Sequence, residues 1–228
     1  MIPLSVPNLG GNEWQYIKDC LDTNWVSSVG SYVNKFEQVT AEFVGSKYAV
    51  ATSNGTAALH IALKLAGVEQ KDLVIAPNIT FVATINAIKY NGANPVLIDI
   101  NPDSWQLVLD LLVDFLPTKS TLMAGGCTLN ASNPVLRAIV PVHVLGNICD
   151  MDRLMNIAQQ HNLKVIEDST EALGSYFKGK HAGTFGLAGT LSYNGNKLIT
   201  TGGGGMILTD DEALAKRAKH ITTTAKSS

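Results

Sequence analysis

The sequence predicts an α/β domain built on a mainly parallel, seven-stranded sheet flanked by helices. Short apolar runs alternate with amphipathic stretches from residue 48 onward, the pattern of βαβ units. Several of the runs stop at turn formers, as Leu73–Ala76 does at Pro77. With 228 residues, 46% hydrophobic and 16% charged, the chain is long and apolar enough for one large domain with its own core.

Tyr48-Ala49-Val50-Ala51-Thr52 is the first expected strand, and Asn54-Gly55-Thr56 opens a helix through Leu65. Leu73 to Ala76 forms a second strand, stopped by Pro77. A helix from Thr80 to Tyr90 follows, with Phe81, Ile85 and Ile88 at near-helical spacing. Val96 to Ile100 is the third strand, and a helix is expected near 105–116. Residues 117–134 are polar and turn-rich, which predicts a surface excursion. Strands are then expected at Arg137–Val142, Lys164–Glu167, Thr190–Tyr193 and Met206–Leu208. Asp150 and the Asp210-Asp211 pair are candidate caps for the two remaining helices, 150–161 and one running into Ala225. A helical segment precedes the first strand, and nothing divides residues 1–228 into separate units.

Bulk chemistry narrows the partners. A net charge of −2 offers no basic field for nucleic acid or an anionic membrane. Cys20, Cys127 and Cys149 match no zinc or redox spacing, and their odd number argues for reduced thiols in a cytoplasmic protein. No signal peptide is expected at Met1–Ser5, and no apolar run reaches transmembrane length. His60, His161, His181 and His220 show no metal-binding pattern.

Ligands of parallel sheets sit beyond the carboxyl ends of the strands. Asn54, Asp168 and Ser192 all lie at or just past such ends. Gly55 and Thr56 start a helix, where free amides and the dipole suit a phosphate monoester; an ordinary capped turn is the competing explanation. Phe81 follows a strand end and could stack on a planar ring, although burial is the usual fate of such an aromatic. Asp168 could pair with a protonated ring nitrogen, or cap a helix as the first residue of Asp-x-x-Glu. His143 also follows a strand end and could face cofactor or substrate, or serve structure. Lys197 lies in Ser192-Tyr193-Asn194-Gly195-Asn196-Lys197, ahead of Gly202 to Gly205. A lysine in such a loop, with an aspartate on the preceding strand, suits a Schiff base with pyridoxal phosphate (PLP).

These segments, in this order, resemble the DegT-type nucleotide-sugar aminotransferases, which are fold-type-I PLP enzymes. The matching stretches run from Trp25-Val26-Ser27-Ser28-Val29-Gly30 through Ser53–Leu59, Pro77–Thr84, Pro95–Ile100, Val142–Gly146 and Val165–Asp168 to Ser192–Gly205. The resemblance implies that Lys197 is the Schiff-base lysine and Asp168 the pyridinium partner. Phe81 would stack on the ring, and Gly55, Thr56 and Ser192 would hold the phosphate. Glu171 would stand beside the cofactor, where relatives more often carry Gln or His. His143 and Asn196 are the expected substrate contacts.

The implied reaction moves an amino group, typically from glutamate, to a keto group of a nucleotide-linked deoxysugar for surface-glycan synthesis. Lys197, where some relatives carry histidine and dehydrate, favours amino transfer. Residues 167–174 and 194–205 look most like the branch acting on UDP-linked 4-keto-6-deoxy-N-acetylhexosamines. The resemblance also implies a homodimer and a smaller C-terminal domain beyond Ser228. A PLP-binding or partner-binding module without turnover is therefore the alternative. A generic nucleotide-binding domain lacks the required glycine fingerprint.

Overall fold

The structure, a computed structural model, describes residues 2, 6–123, 126–129, 134–223 and 225. Two helices, α1 (Glu13–Asp22) and α2 (Ser31–Val44), precede the sheet. The chain then alternates through β1 (Tyr48–Thr52), α3 (Gly55–Leu65), β2 (Leu73–Pro77), α4 (Val82–Tyr90), β3 (Asn94–Ile98) and α5 (Leu109–Lys119). A hairpin of β4 (Ser120–Met123) and β5 (Gly126–Leu129) leads into β6 (Val135–Ile139), α6 (Met151–Gln160) and β7 (Lys164–Asp168). A small ribbon, β8 (Tyr176–Phe177) with β9 (Lys180–His181), is followed by β10 (Ala188–Ser192), β11 (Gly205–Thr209) and α7 (Glu212–Thr222).

The main path of the sheet runs β1-β11-β10-β7-β6-β2-β3. Its parallel core is β10, β7, β6, β2 and β3; β11 lies antiparallel to both its neighbours. The expected α/β class and all seven strands are present, with the hairpin bringing the sheet to nine.

Three local differences have physical reasons. The third strand starts at Asn94 rather than Val96, because β3 is the edge of the path and tolerates Pro95 without a ladder donor. The α4 helix starts at Val82 rather than Thr80, with Phe81 in extended conformation at its N-cap. Where a surface excursion was expected, β4 and β5 form an antiparallel hairpin and β5 pairs with β6. Cys127 is fully buried there, opposite Leu136, and that contact draws the segment onto the sheet. Residues 124, 125 and 130–133 of the excursion lie outside the described residues.

The two sheet faces hold separate cores. Ala58, Leu59, Ala62 and Leu63 of α3 pack with Ala87 and Ile88 of α4 against Ile166 of β7. Leu112 and Leu116 of α5 and Leu154 of α6 pack against Val165 on the other face. Successive β7 residues therefore face opposite layers, which places Asp168 with Ile166 and Glu167 with Val165. The Asp150 and Asp211 caps form as expected, accepting from Arg153 N and Leu214 N, and Asn54 caps α3 by accepting from Ala57 N.

The sheet is tightest where β10 meets the loop after β9. A Cβ on Gly189 would lie 2.1 Å from the Gly183 carbonyl oxygen, whereas one on Gly195 would meet nothing within 4 Å. Gly189→Ala is expected to cost about 3 kcal/mol or more in chemical unfolding, and Gly195→Ala less than about 1 kcal/mol. Equal midpoints for the two variants would contradict this packing.

Candidate active site

The carboxyl ends of β7 and β10, the start of α3 and the loop 192–204 enclose a cavity of about 280 Å³. Its lining includes Gly55, Thr56, Phe81, Glu171, Ser192 and Lys197. This volume is at the small end of ligand pockets.

The wall at α3 is built for an anion. Asn54 caps the helix: its Oδ1 accepts from Ala57 N at 2.8 Å and its carbonyl from Ala58 N at 3.1 Å. Among the described residues, the Gly55 and Thr56 amides have no protein partner, and they sit at the positive end of the helix dipole. Glycine at 55 permits the approach, since a Cβ there would lie 2.9 Å from Ser192 Cβ and 3.2 Å from Thr170 Cγ2. Glycine at 205 does the same from below, where a Cβ would come within 2.5 Å of the Asn54 carbonyl. Two free amides and the Ser192 hydroxyl thus converge.

Phe81 is 70% exposed and forms a side wall, so burial does not explain it. The Lys197 Nζ stands 6.0 Å from the Phe81 ring centroid and 3.2 Å from Glu171 Oε1. The Lys197 side chain is only 15% exposed, unlike an ordinary surface lysine. Glu171 Oε2 accepts from Leu145 N at 3.0 Å, anchoring the carboxylate from the turn 144–146. Asn196 lines the same cavity, with its Oδ1 accepting from Asn194 Nδ2 at 2.9 Å.

Asp168 lies behind the lining, 3% exposed. Its Oδ2 accepts from Thr84 Oγ1 at 2.6 Å, and its Oδ1 from Thr170 Oγ1 at 2.7 Å and Thr170 N at 3.2 Å. No helix follows, so the Asp-x-x-Glu capping explanation fails: residues 169–175 turn, and Glu171 faces Lys197 instead. Thr84 and Thr170 were not singled out in the sequence. Thr84 follows Phe81 by one helical turn and Thr170 follows Asp168 by two residues, so a search for hydroxyls near both would have found them.

His143 is the correction. It is fully buried and absent from the cavity lining. Its Nδ1 accepts from Cys149 N at 3.5 Å, so Nε2 carries the proton donated to Glu167 Oε2 at 3.0 Å. Glu167 takes three further donors, the amides of Gly183, Phe185 and Gly186. A buried carboxylate needs such partners, and His143 supplies one rather than reaching a ligand. Beside it, burial pushes the Cys149 thiol up to about 12.

A family model matches residues 7–227. The chain belongs to the DegT/DnrJ/EryC1/StrS aminotransferase family. The GDP-perosamine synthase of Escherichia coli O157:H7 is 42% identical over 220 residues, covering 96% of this chain and 56% of that protein. The X-ray structure of the aminotransferase from Psychrobacter cryohalolentis superimposes with a TM-score of 0.82 at 34% identity, covering 95% of this chain and 51% of that one. The PLP-form of the putative sugar aminotransferase Spr1654 from Streptococcus pneumoniae gives a TM-score of 0.83 at 26% identity, covering 96% and 57%. The chain thus spans about half the length of these relatives. PLP is the cofactor of this family. The site fits it: a cradle that any Cβ at residue 55 would fill, an amine, and a carboxylate held in accepting form.

Replacing His143 tests its structural placement. His143→Gln can donate to Glu167 and accept from Cys149, and should keep PLP affinity within about threefold; His143→Leu should lose about 2–3 kcal/mol in urea unfolding. A large loss of PLP affinity in a stable His143→Gln protein would return His143 to the cofactor site.

Proposed function

We propose that this chain is the cofactor-binding part of a PLP-dependent aminotransferase acting on a nucleotide-linked keto-deoxysugar. One observation carries the reading. A lysine amine and the Gly55 and Thr56 amides, free among the described residues, meet at one cavity, and Thr170 of its lining holds the buried Asp168 carboxylate behind it.

Each side chain has a task in that reaction. The Gly55 and Thr56 amides and the Ser192 hydroxyl bind the phosphate. Phe81 supports one face of the ring. Asp168 holds the proton on the ring nitrogen by presenting an ionised acceptor. PLP, when bound, supplies the electron sink for the carbanion left by deprotonation of the amino-bearing carbon. Lys197 would hold the cofactor through Nζ, and as a neutral amine Nζ would take the proton from that carbon and return it. Glu171 would be the ion-pair partner of Nζ while it carries that proton.

With glutamate as donor the balance closes: the keto group becomes a primary amine, and glutamate leaves as 2-oxoglutarate. Asn196, in the lining, would contact the sugar. GDP-linked 4-keto-6-deoxy sugars are the first acceptors to try, on the likeness to the perosamine synthase. The UDP-linked N-acetylhexosamines suggested by residues 167–174 and 194–205 are the second. A homodimer belongs to the same proposal. Phe43, Leu198 and Ile199 border an apolar groove of about 410 Å³ beside the Lys197 loop and are themselves exposed, as subunit contacts are before assembly.

A second reading, a PLP-binding or partner-binding module without turnover, draws on the openness of the cavity. Phe81, in its wall, is 70% exposed. A coupled assay with PLP, glutamate and GDP-, UDP- and dTDP-linked 4-keto sugars separates the two. Amino transfer to any of them supports the enzyme, and stable PLP uptake with none transferred supports the module. In an active protein, Asp168→Asn should lower kcat at least about a hundredfold while shifting the unfolding midpoint little. Near-normal turnover in that variant would remove Asp168 from its role.

A further inference from the structure

We propose that Thr84 is a positioning residue that fixes the carboxylate of Asp168 for the ring nitrogen; this rests on the reading that PLP binds here. Thr84 is fully buried and its hydroxyl is taken up by Asp168 and Thr80, so its part in the site runs through Asp168. That hydroxyl makes the shortest contact to Asp168, 2.6 Å to Oδ2. An ionised carboxylate only accepts, so the single Thr84 proton is committed to it. The Thr80 hydroxyl, 2.7 Å from Thr84 Oγ1, must then be the donor in that pair. Thr80 can also reach the Phe81 carbonyl, but at 3.2 Å the contact is longer. A directed chain therefore runs from Thr80 through Thr84 to Asp168.

The geometry of the carboxylate gives this chain its purpose. The terminal torsion of an aspartate is soft, so contacts on one oxygen leave the other free to swing. Thr170 grips Oδ1 twice, through its amide and hydroxyl. Only Thr84 grips Oδ2 among the described residues. Removing it frees the plane of the group while keeping the acid. The same first turn of α4 follows Phe81 at the N-cap. One turn of helix thus sets the ring wall and the acid together, which the sequence Thr80-Phe81-Val82-Ala83-Thr84 encodes within five residues.

Thr84→Val keeps the shape and deletes the hydroxyl, Thr84→Ser restores it, and Thr80→Val removes only the upstream donor. Crystal structures without cofactor should show Asp168 in one orientation in the natural sequence and Thr84→Ser, and rotated or split in Thr84→Val. With ¹⁵N-labelled PLP, the ring-nitrogen shift should move toward the unprotonated form in Thr84→Val, and PLP should bind about tenfold or more weakly. Thr84→Ser should stay within about threefold, with Thr80→Val intermediate. An unmoved Asp168 with an unmoved ring-nitrogen shift in Thr84→Val would overturn the proposal. If the natural sequence takes up no PLP, the functional reading falls, and the orientation of Asp168 still decides the role of Thr84.

Discussion

Strand β7 ends in two adjacent carboxylates that water scarcely reaches, and the architecture around them answers that constraint. Glu167 is fully buried and Asp168 is 3% exposed. Burying an ionised carboxylate costs several kcal/mol unless donors replace its water. Strand alternation sends the two side chains to opposite layers, so each needs its own donors. Glu167 takes three backbone amides from residues 183–186 and the imidazole of His143, which ties the loop before β10 to the turn after β6. Asp168 takes Thr84 from α4 and Thr170 from the turn beyond the strand. The first carboxylate is spent on structure, and the second lies behind the cavity, gripped by Thr170 of its lining.

The anion-binding end of the cavity depends on the same parallel core. Helix α3 is held along its length by Ala58, Leu59, Ala62 and Leu63, all fully buried. A helix so anchored brings its N-terminus to a fixed place, and the glycines at 55 and 205 allow the last close approach. Behind it, Glu37 of α2 accepts from Ala51 N and from Lys219 of α7, so β1 is clasped between two helices. Apolar burial supplies the stability, and hydrogen bonds with close backbone contacts supply the aim.

Much of this was legible in the sequence. The strands announced themselves by short apolar runs, strand ends located Asn54, Asp168 and Ser192, and the glycine-rich loop located Lys197. What the sequence hid were facts set by tertiary neighbours. Thr170, which grips one oxygen of Asp168, is local, but the hydroxyl on the other oxygen comes from residue 84. His143 looked available from its place after a strand, but a charge on the facing layer claimed it. The β4–β5 hairpin was masked by turn-forming residues, since the burial of Cys127 against β6 is a long-range effect.

Membership of the DegT/DnrJ/EryC1/StrS family and the geometry of the cavity meet at Lys197, held at 15% exposure beside Glu171 and Phe81. The most direct measurement is to incubate the protein with PLP, reduce it with borohydride, and map the modified peptide by mass spectrometry. The account predicts a single stoichiometric phosphopyridoxyl group on Lys197, lost in Lys197→Ala. Modification spread over surface lysines, or unchanged labelling in Lys197→Ala, would contradict it.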